Sequence, residues 1–521
     1  MANGKVGRRG SIAGLLAILG VAATLTPALI PAAARARSSV GPAPVHLKVL
    51  TFNTGGDEWG GNYHKPDSPK ISAPIADVLK VIQASGADIV GIQEPFGELR
   101  MMAATLGWYA SPRLYILSRY PIIEPPGANG LWGYVEVAPG RAVAFADTHL
   151  PSAPSGLKKI TRGGYPRPYV LHIERRTRLR YIQPWLNAVA PVVAADVPTF
   201  FTGDFNSTSW RDWTAAVVRA DPRLRYPFRW PVSVAMERAG FRDSYRQVYP
   251  DPVSDPGTTW ISPYLDLKPT INPSHLLYRI DFVWNAGAVQ TDGMEILGAP
   301  GTPDVTMPVS PWPSDHRAVL GSFTVKPATL PPLVSVADAR VAQGSDISVI
   351  YHRSAPGDTV VLLPAGGDLG APLQSVPTTS VNGSLSFPSG SLPPGDYDVA
   401  LVSGGADAGR VGVSIVPVGG APSLTTPDPT VTIGHRVPIS WTNGYGNRND
   451  WLGAYRANAS NPKVDYYLAW RYIHARVNGT TWIGPKSHVN WPLGPGKWIV
   501  RYCIDDGYAC EGSVTFRVVR P

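Results

Sequence analysis

Short apolar runs restrict the fold of this chain more than any other feature. Val49-Leu50-Thr51-Phe52, Ile89-Val90-Gly91-Ile92, Leu114-Tyr115-Ile116-Leu117, Val143-Ala144-Phe145-Ala146 and Thr199-Phe200-Phe201-Thr202 are each about one strand long. They lack the alternation of a half-exposed strand, so they read as strands covered on both faces in a layered fold. Polar motifs follow such stretches in a fixed order: Thr51-Phe52-Asn53, Gly91-Ile92-Gln93-Glu94, Asp147-Thr148-His149-Leu150, Gly203-Asp204-Phe205-Asn206, Arg279-Ile280-Asp281-Phe282 and Ser314-Asp315-His316. Asn53, Glu94, His149, Asp204 and Asn206 fall where a strand gives way to a loop, so these ends can converge on one rim of a rigid scaffold.

Helices are expected between the strands. Ser72 can cap one in which Ile75, Val78, Leu79 and Ile82 share a face and which Gly86 ends. A second should cover about Val170 to Ala190, bent at Pro184. Strands interleaved with helices suggest two sheets packed together and covered by helices. At 521 residues the chain exceeds a single core, so two to four domains are expected. With 44% hydrophobic and 16% charged residues, 53 Gly and 54 Pro, it is strand- and turn-rich, which excludes a disordered or coiled-coil protein. The net charge of +9 favours anionic partners but is modest for this length.

Residues 1–36 read as an export signal. Lys5, Arg8 and Arg9 precede an uncharged stretch from Ile12 to Ala34, and Ala34-Arg35-Ala36 offers a small-x-small cleavage site. A membrane anchor is the competing reading, which Pro27 and Pro31 oppose. Arg8-Arg9 also permits twin-arginine export, so the expected location is secreted or periplasmic. Cys503 and Cys510 are the two cysteines, and in an oxidising compartment they should staple a hairpin.

From about Pro327 the composition turns to Gly, Ser, Pro and alternating apolar residues, and a repeat appears. Leu392-Pro393-Pro394-Gly395-Asp396-Tyr397-Asp398-Val399 echoes Leu493-Gly494-Pro495-Gly496-Lys497-Trp498-Ile499-Val500, and Gly357-Asp358-Thr359-Val360 echoes Asn449-Asp450-Trp451-Leu452. Two units of roughly ninety residues with short strands fit immunoglobulin-like β-sandwiches, placed at 327–419 and 420–521 after a 37–326 catalytic domain.

The chemistry of the polar set is that of a hard cation with a phosphate. Carboxylate and carbonyl oxygens suit magnesium or calcium, and neither thiolate is near. Any one motif has a bland reading as a turn or a satisfied buried carboxylate; six in order do not. Asp147 shares a strand face with His149 by period two and is treated as support only. Asp57, Glu58 and His64 are read as solvated loop residues.

The ordered motifs resemble the endonuclease/exonuclease/phosphatase superfamily, which includes pancreatic-type deoxyribonuclease, abasic-site endonucleases, sphingomyelinases and inositol polyphosphate 5-phosphatases. The likeness covers about residues 45–326, and Gly203-Asp204-Phe205-Asn206 with Ser314-Asp315-His316 carry it best. It implies a four-layered α/β sandwich. It also implies that Glu94 is the principal metal carboxylate, with Asn53 and Asp315 completing the shell directly or through water. Magnesium is the expected ion, with manganese or calcium as the other candidates. Asp204 would orient or deprotonate the attacking water, and Asn206, placed on the same strand face, would hold a phosphate oxygen. His149 and His316 would donate to the transition state, and Asp281 would fix the His316 tautomer. Asp204 and His316 both stand as the base, and a second ion on Asp204, Asn206 and His316 is compatible with the set.

Lys158, Lys159, Arg162, Arg167, Arg175, Arg176, Arg178 and Arg180 face only Glu174 as a local acid, and Lys158, Lys159, Arg175 and Arg176 are the residues expected to attract substrate phosphate. Trp210 and Trp213 are read either as stacking platforms or as structural lids. The inositol 5-phosphatase pattern has Trp before its Gly-Asp and Arg after its Asn. Phe201-Thr202 and Ser207-Thr208 stand there instead, which argues against that subgroup. Asn449-Asp450-Trp451-Leu452-Gly453-Ala454-Tyr455 looks like a small immunoglobulin-type domain used for attachment in some phosphoinositide phosphatases. The expectation is an exported divalent-metal-dependent phosphodiesterase acting on nucleic acid or a phospholipid headgroup. The alternatives are a phosphomonoesterase for inositol or sugar phosphates, and a surface-binding protein with an inactive first domain.

Overall fold

The computed structural model describes residues 43–55, 75–95, 98–260, 278–459, 467–484, 488–489 and 491–521. The export segment, the Asp57–His64 loop and the Ser72 cap lie outside the described residues. In chain order the elements that build the site are β1 (Val45–Asn53), α1 (Ile75–Ser85), β2 (Ile89–Gln93), β3 (Arg141–His149), α2 (Gly156–Thr161), α3 (Arg167–Arg176), α4 (Arg178–Ala194), β4 (Thr199–Asp204), β5 (Asp281–Ala286) and β6 (Ala318–Val325).

Two seven-stranded sheets face each other. In one, β1 lies between antiparallel β6 and parallel β2. In the other, β4 lies between parallel β3 and antiparallel β5. Period-two alternation sorts each strand into three environments. Val49, Ile89, Val143, Phe145, Phe200, Val283 and Val319 fill the layer between the sheets. Leu50, Phe52, Val90 and Ile92 point the other way, onto Val78, Leu79 and Ile82 of α1. Ala144, Ala146, Phe201, Phe282 and Trp284 face Ile182, Leu186 and Val189 of α4. The order helix, sheet, sheet, helix is the expected four-layered α/β sandwich. Burial of a side chain such as Phe200 contributes about 1.5–3 kcal/mol, which is why these runs need no polar face.

At the carboxyl ends of the strands the inter-sheet layer turns polar. The face that carries Val143 and Phe145 continues into Asp147, and the face that carries Phe200 continues into Thr202. Gln93 Nε2 and Thr202 Oγ1 both donate to Asp147 Oδ1, each at 2.7 Å. Gly91 is required opposite them, because a Cβ there would sit 1.9 Å from Thr202 Oγ1 and 2.4 Å from Asp147 Oδ1.

Three local expectations are corrected. The helix expected over 170–190 is two helices broken at Thr177 (φ −106°, ψ −100°), with Pro184 inside α4 and exposed. Thr177 Oγ1 donates to Ile173 O at 2.7 Å, a local bond that competes with the helical ladder. In the run at Leu114 the strand begins only at Ile116, because Tyr115 adopts φ 57°. Asn206 is not on the β4 face: the strand ends at Asp204, and Asn206 turns back with φ 45°.

The remaining strands form two further pairs of sheets, within 333–416 and 423–519. Each pair encloses its own apolar cluster. In each, a short strand runs parallel to the last strand of the larger sheet, Arg340–Ala342 beside Ala406–Val416 and Thr430–Thr432 beside Cys510–Val519. The repeat seen in the sequence has a physical basis. Tyr397 Oη donates to Pro393 O at 2.7 Å, and Trp498 Nε1 donates to Gly494 O at 2.9 Å, so both aromatics reach back four residues. Asp358 accepts from Ala355 N at 2.6 Å, and Asp450 accepts from Asn447 N at 3.0 Å. Cys503 and Cys510 form the disulfide, paired across adjacent strands.

Candidate active site

The polar ends meet at one rim. Asn53, the last residue of β1, donates through Nδ2 to Glu94 Oε1 and to Asp204 Oδ2, both at 3.1 Å. Its own Oδ1 accepts from Gly55 N at 3.0 Å, so Asn53 bridges two carboxylates supplied by opposite sheets. Glu94 follows β2 with φ 57°, a left-handed backbone rare outside glycine and characteristic of functional sites. His149, ending β3, lies with Nε2 3.4 Å from Asp204 Oδ2 and 3.6 Å from Glu94 Oε1.

Asn206 is tied in from the loop. Its N–H donates to Asp204 Oδ1 at 2.8 Å, its Nδ2 to Leu150 O at 3.0 Å and Asp204 Oδ2 at 3.1 Å, and Nδ2 lies 3.2 Å from His149 Nε2. Asp281 opens β5 in register with Asp204. His316 Nδ1 sits 3.0 and 3.1 Å from the Asp281 oxygens, which leaves Nε2 facing Asp204 Oδ2 at 3.8 Å and Asp315 Oδ1 at 4.0 Å. Thr259 Oγ1 accepts from the N–H groups of Ile280 and Asp281, and Ser314 Oγ donates to Asn53 O at 2.7 Å, joining the last two motifs to the first.

Charge is concentrated here. Burial pushes the Glu94 carboxyl up, with Asp315 adding to it, against the pull of both imidazoles. Burial also opposes ionisation of Asp204, but His316 and His149 outweigh it and hold that carboxyl below its ordinary value. Burial disfavours protonated His149, yet Asp204 and Glu94 raise it to about 10. His316 is likewise raised far above its ordinary value by Asp281, Asp204 and Asp315, against burial.

The donor set fits a hard divalent cation. It offers four carboxylates and no thiolate, and Asp204, Asp281 and His316 present ligand atoms within 4.8 Å of one another.

All eight residues expected to act at the centre are therefore brought together. The basic residues divide. Lys158 is exposed, with Nζ 5.4 Å from the ring of Trp260, whose Nε1 donates to Asp315 Oδ2 at 3.1 Å, so it borders the site. Lys159 lies over Tyr165 at 4.6 Å. Arg175 lines a groove on the outer helices with Arg167, Arg229 and Arg238, and Arg176 is exposed at the end of α3. No contact among the described residues ties Arg175 or Arg176 to the rim.

Three positioning groups escaped the sequence reading. Arg178, counted there in the basic cluster after His149, is fully buried and forms an ion pair with Glu174 at 2.9 Å. Its guanidinium also donates to the carbonyls of Asn206 (2.6 Å), Ser152 and Pro154 (2.9 Å each), so it anchors the loop that carries Asn206. The Glu174/Arg178 spacing of four, within the single helix that the sequence leads one to expect, was the available signal. Trp260, bridged to Tyr278 and His316, is the aromatic at the rim. Trp213 instead packs in a core with Trp230, and Trp210 donates to Glu237. Arg448, from the last pair of sheets, donates to Asp147 O at 2.9 Å and had no local signal at all.

Comparison with known proteins places these observations. The Endonuclease/Exonuclease/phosphatase family matches residues 50–316. An uncharacterised protein of Caenorhabditis elegans is 34% identical over 311 residues, covering 53% of this chain and 91% of that one. An endonuclease/exonuclease/phosphatase from Beutenbergia cavernae is similar over 71% of this chain and 99% of its own, at 17% identity and TM-score 0.33. A mannosyl-6-phosphatase from Bacteroides thetaiotaomicron covers 53% of this chain and 99% of its own, at 14% and 0.31. D. rerio TDP2 complexed with single-strand DNA product covers 53% and 98%, at 15% and 0.31.

Proposed function

Because the chain belongs to the endonuclease/exonuclease/phosphatase family, we propose that it is an exported, divalent-metal-dependent phosphodiesterase that hydrolyses nucleic acid or a phospholipid headgroup. One observation carries this reading. Asn53, Glu94, His149, Asp204, Asn206, Asp281, Asp315 and His316 come from both sheets and meet within hydrogen-bond and ion-pair distance.

Glu94 and Asp315 would hold magnesium, with manganese or calcium as substitutes, and Asn53, donating to both, ties the Glu94 and Asp204 carboxylates together. The bound ion supplies charge neutralisation at the phosphoryl oxygens and the leaving oxygen. Asp204, kept anionic between two imidazoles, takes the proton of the attacking water. Asp281 holds the Nδ1 proton of His316, so that Nε2 can donate to the phosphoryl group. His149 and Asn206 donate from the other side. Lys158 and Trp260, at the open edge, steer and seat the anionic substrate.

The two C-terminal sheet pairs are read as immunoglobulin-like sandwiches. The backward hydrogen bonds of Tyr397 and Trp498 support this, since such aromatic corners recur in that architecture. Surface attachment is their proposed task. Export is supported by the character of residues 1–36 and by the disulfide, which persists in oxidising compartments.

The test is hydrolysis of bis(p-nitrophenyl) phosphate against p-nitrophenyl phosphate, with and without EDTA, in wild type and His316→Ala. Chelator-sensitive diester cleavage lost in the variant is the expected result. Preferential monoester cleavage would replace the diesterase reading with a phosphatase one, and no cleavage of DNA, RNA, sphingomyelin or phosphatidyl lipids would sink it.

A further inference from the structure

Arg175, expected to serve the rim, stands instead in a groove of about 960 Å³ on the outer helices. Helical spacing builds its walls. On α3, Arg167, Leu171 and Arg175 recur at intervals of four and turn away from buried Val170 and Ile173. On α4, Leu179, Gln183 and Leu186 line it by the same spacing. The facing wall is the helix Pro231–Arg238, which gives Val234, Ala235 and Arg238, with Arg229 just before it.

The groove is apolar along its floor and cationic at its edge. Leu171, Leu179, Val234 and Ala235 are half-buried, whereas Arg167, Arg175, Arg229 and Arg238 are exposed. Among the described residues no acid lines it, and none of the four guanidiniums forms an ion pair. The nearby acids are engaged elsewhere. Glu174, the one acidic residue between His149 and Ala195, is turned inward onto Arg178, and Glu237 accepts from Trp210 and Arg211. Tyr165 and Tyr169, on either side of Arg167 in the chain, are exposed and stack at 4.7 Å.

We propose that this groove is a docking site for anionic phospholipid: acyl carbons lie on the aliphatic floor, and the four arginines take headgroup phosphate. Charge complementarity selects an anion, because four guanidiniums round one groove, with no acid among them, form a positive field that a negative ligand satisfies. The floor selects lipid over nucleic acid. Single strands bind by stacking bases on open aromatic faces, and the one aromatic residue of the groove, Phe228, is buried. The volume suits one amphiphile, since sites for single small ligands span about 300–1,000 Å³. The exposed tyrosines supply the amphipathic rings that sit at headgroup level in a membrane interface. The inference goes beyond the proposed hydrolysis and does not rest on it.

The full chain tests this by sedimentation, in EDTA, with vesicles of phosphatidylcholine alone and of equal parts phosphatidylcholine and phosphatidylglycerol. Wild type should pellet with the anionic vesicles only. Arg175→Glu combined with Arg238→Glu should weaken that binding at least about tenfold, and Leu171→Gln about threefold or more, with Tm unchanged in each. Arg517→Glu combined with Arg520→Glu makes the same change of net charge on exposed residues near the chain end, and should stay within about twofold of wild type. Wild type that pellets no better with anionic vesicles than with phosphatidylcholine would overturn the proposal. So would a control that loses as much as the groove variant, or a Leu171→Gln protein that binds like wild type. Loss of single-stranded DNA binding in the groove variant, with vesicle binding intact, would overturn it in favour of a nucleic-acid face. Because no turnover is read, a protein that pellets through the groove yet hydrolyses nothing when metal is restored would overturn the phosphodiesterase reading and leave this one standing.

Discussion

Replacing Arg178 by Met should destabilise the protein far more than the loss of a surface cation would, and should do so in a pH-dependent way. The guanidinium and the Glu174 carboxylate are both fully buried, and three backbone carbonyls depend on the same group. Breaking a buried ion pair by removing one partner costs about 3–5 kcal/mol, because the other charge is left without compensation. At about 2–4 °C per kcal/mol for a domain of this size, Tm should fall by roughly 6–20 °C. Burial already raises the Glu174 carboxyl from 4.5 to about 7, against Arg178 and the Gly156 N–H. A carboxyl raised in the folded state contributes stability that is complete below its unfolded value and lost as pH rises through the folded one. Arg178→Met should therefore lie nearer wild type at pH 5 than at pH 8. Adding Glu174→Gln should return part of the loss at pH 8. Scanning calorimetry of the four proteins of this double-mutant cycle at both pH values gives the answer. A Tm loss under about 3 °C that is equal at both pH values would refute the reasoning. Because Arg178 holds the Asn206 carbonyl, kcat should also drop in a protein whose altered residue touches no substrate.

Asp281→Asn should lower kcat by about a hundredfold or more with little change in KM, since His316 loses the acceptor that orients it; steady-state kinetics on the diester decides this. Gly91→Ala forces a methyl into the space of Thr202 Oγ1 and Asp147 Oδ1, and urea titration should show a loss of at least about 1–3 kcal/mol. In EDTA-treated protein, His149 stabilises the fold while it is protonated. That contribution is complete below about 6.5 and lost as pH rises toward about 10, so unfolding free energy should decline across this window and the decline should flatten in His149→Gln.

The sequence exposed what depends on neighbours along the chain and concealed what depends on distant ones. Val143 and Phe145 announce a strand, and period two then carries its inner face to Asp147 and His149. Asn53, Glu94 and Asp204 were legible for the same reason. Asn206 was placed on a strand face because nothing local shows that its backbone reverses after Asp204. Arg178 looks like its exposed neighbours Arg175 and Arg176 until the carbonyls that it satisfies are seen. Trp260 carries no motif, and its role depends on Asp315, fifty-five residues later. Arg448 meets Asp147 across 301 residues, a separation at which no pattern in the chain survives.

The bridge that Asn53 makes between Glu94 and Asp204 has a kinetic corollary. Glu94 arrives with one sheet and Asp204 with the other, and 151 residues separate Asn53 from Asp204. Each sheet can complete its own pairing without bringing those carboxylates together. Competence for chemistry must then appear only when the sheets close on one another, a late event in a chain dominated by distant contacts. A nascent or partly folded molecule would be silent, and the onset of hydrolysis during refolding would time that closure.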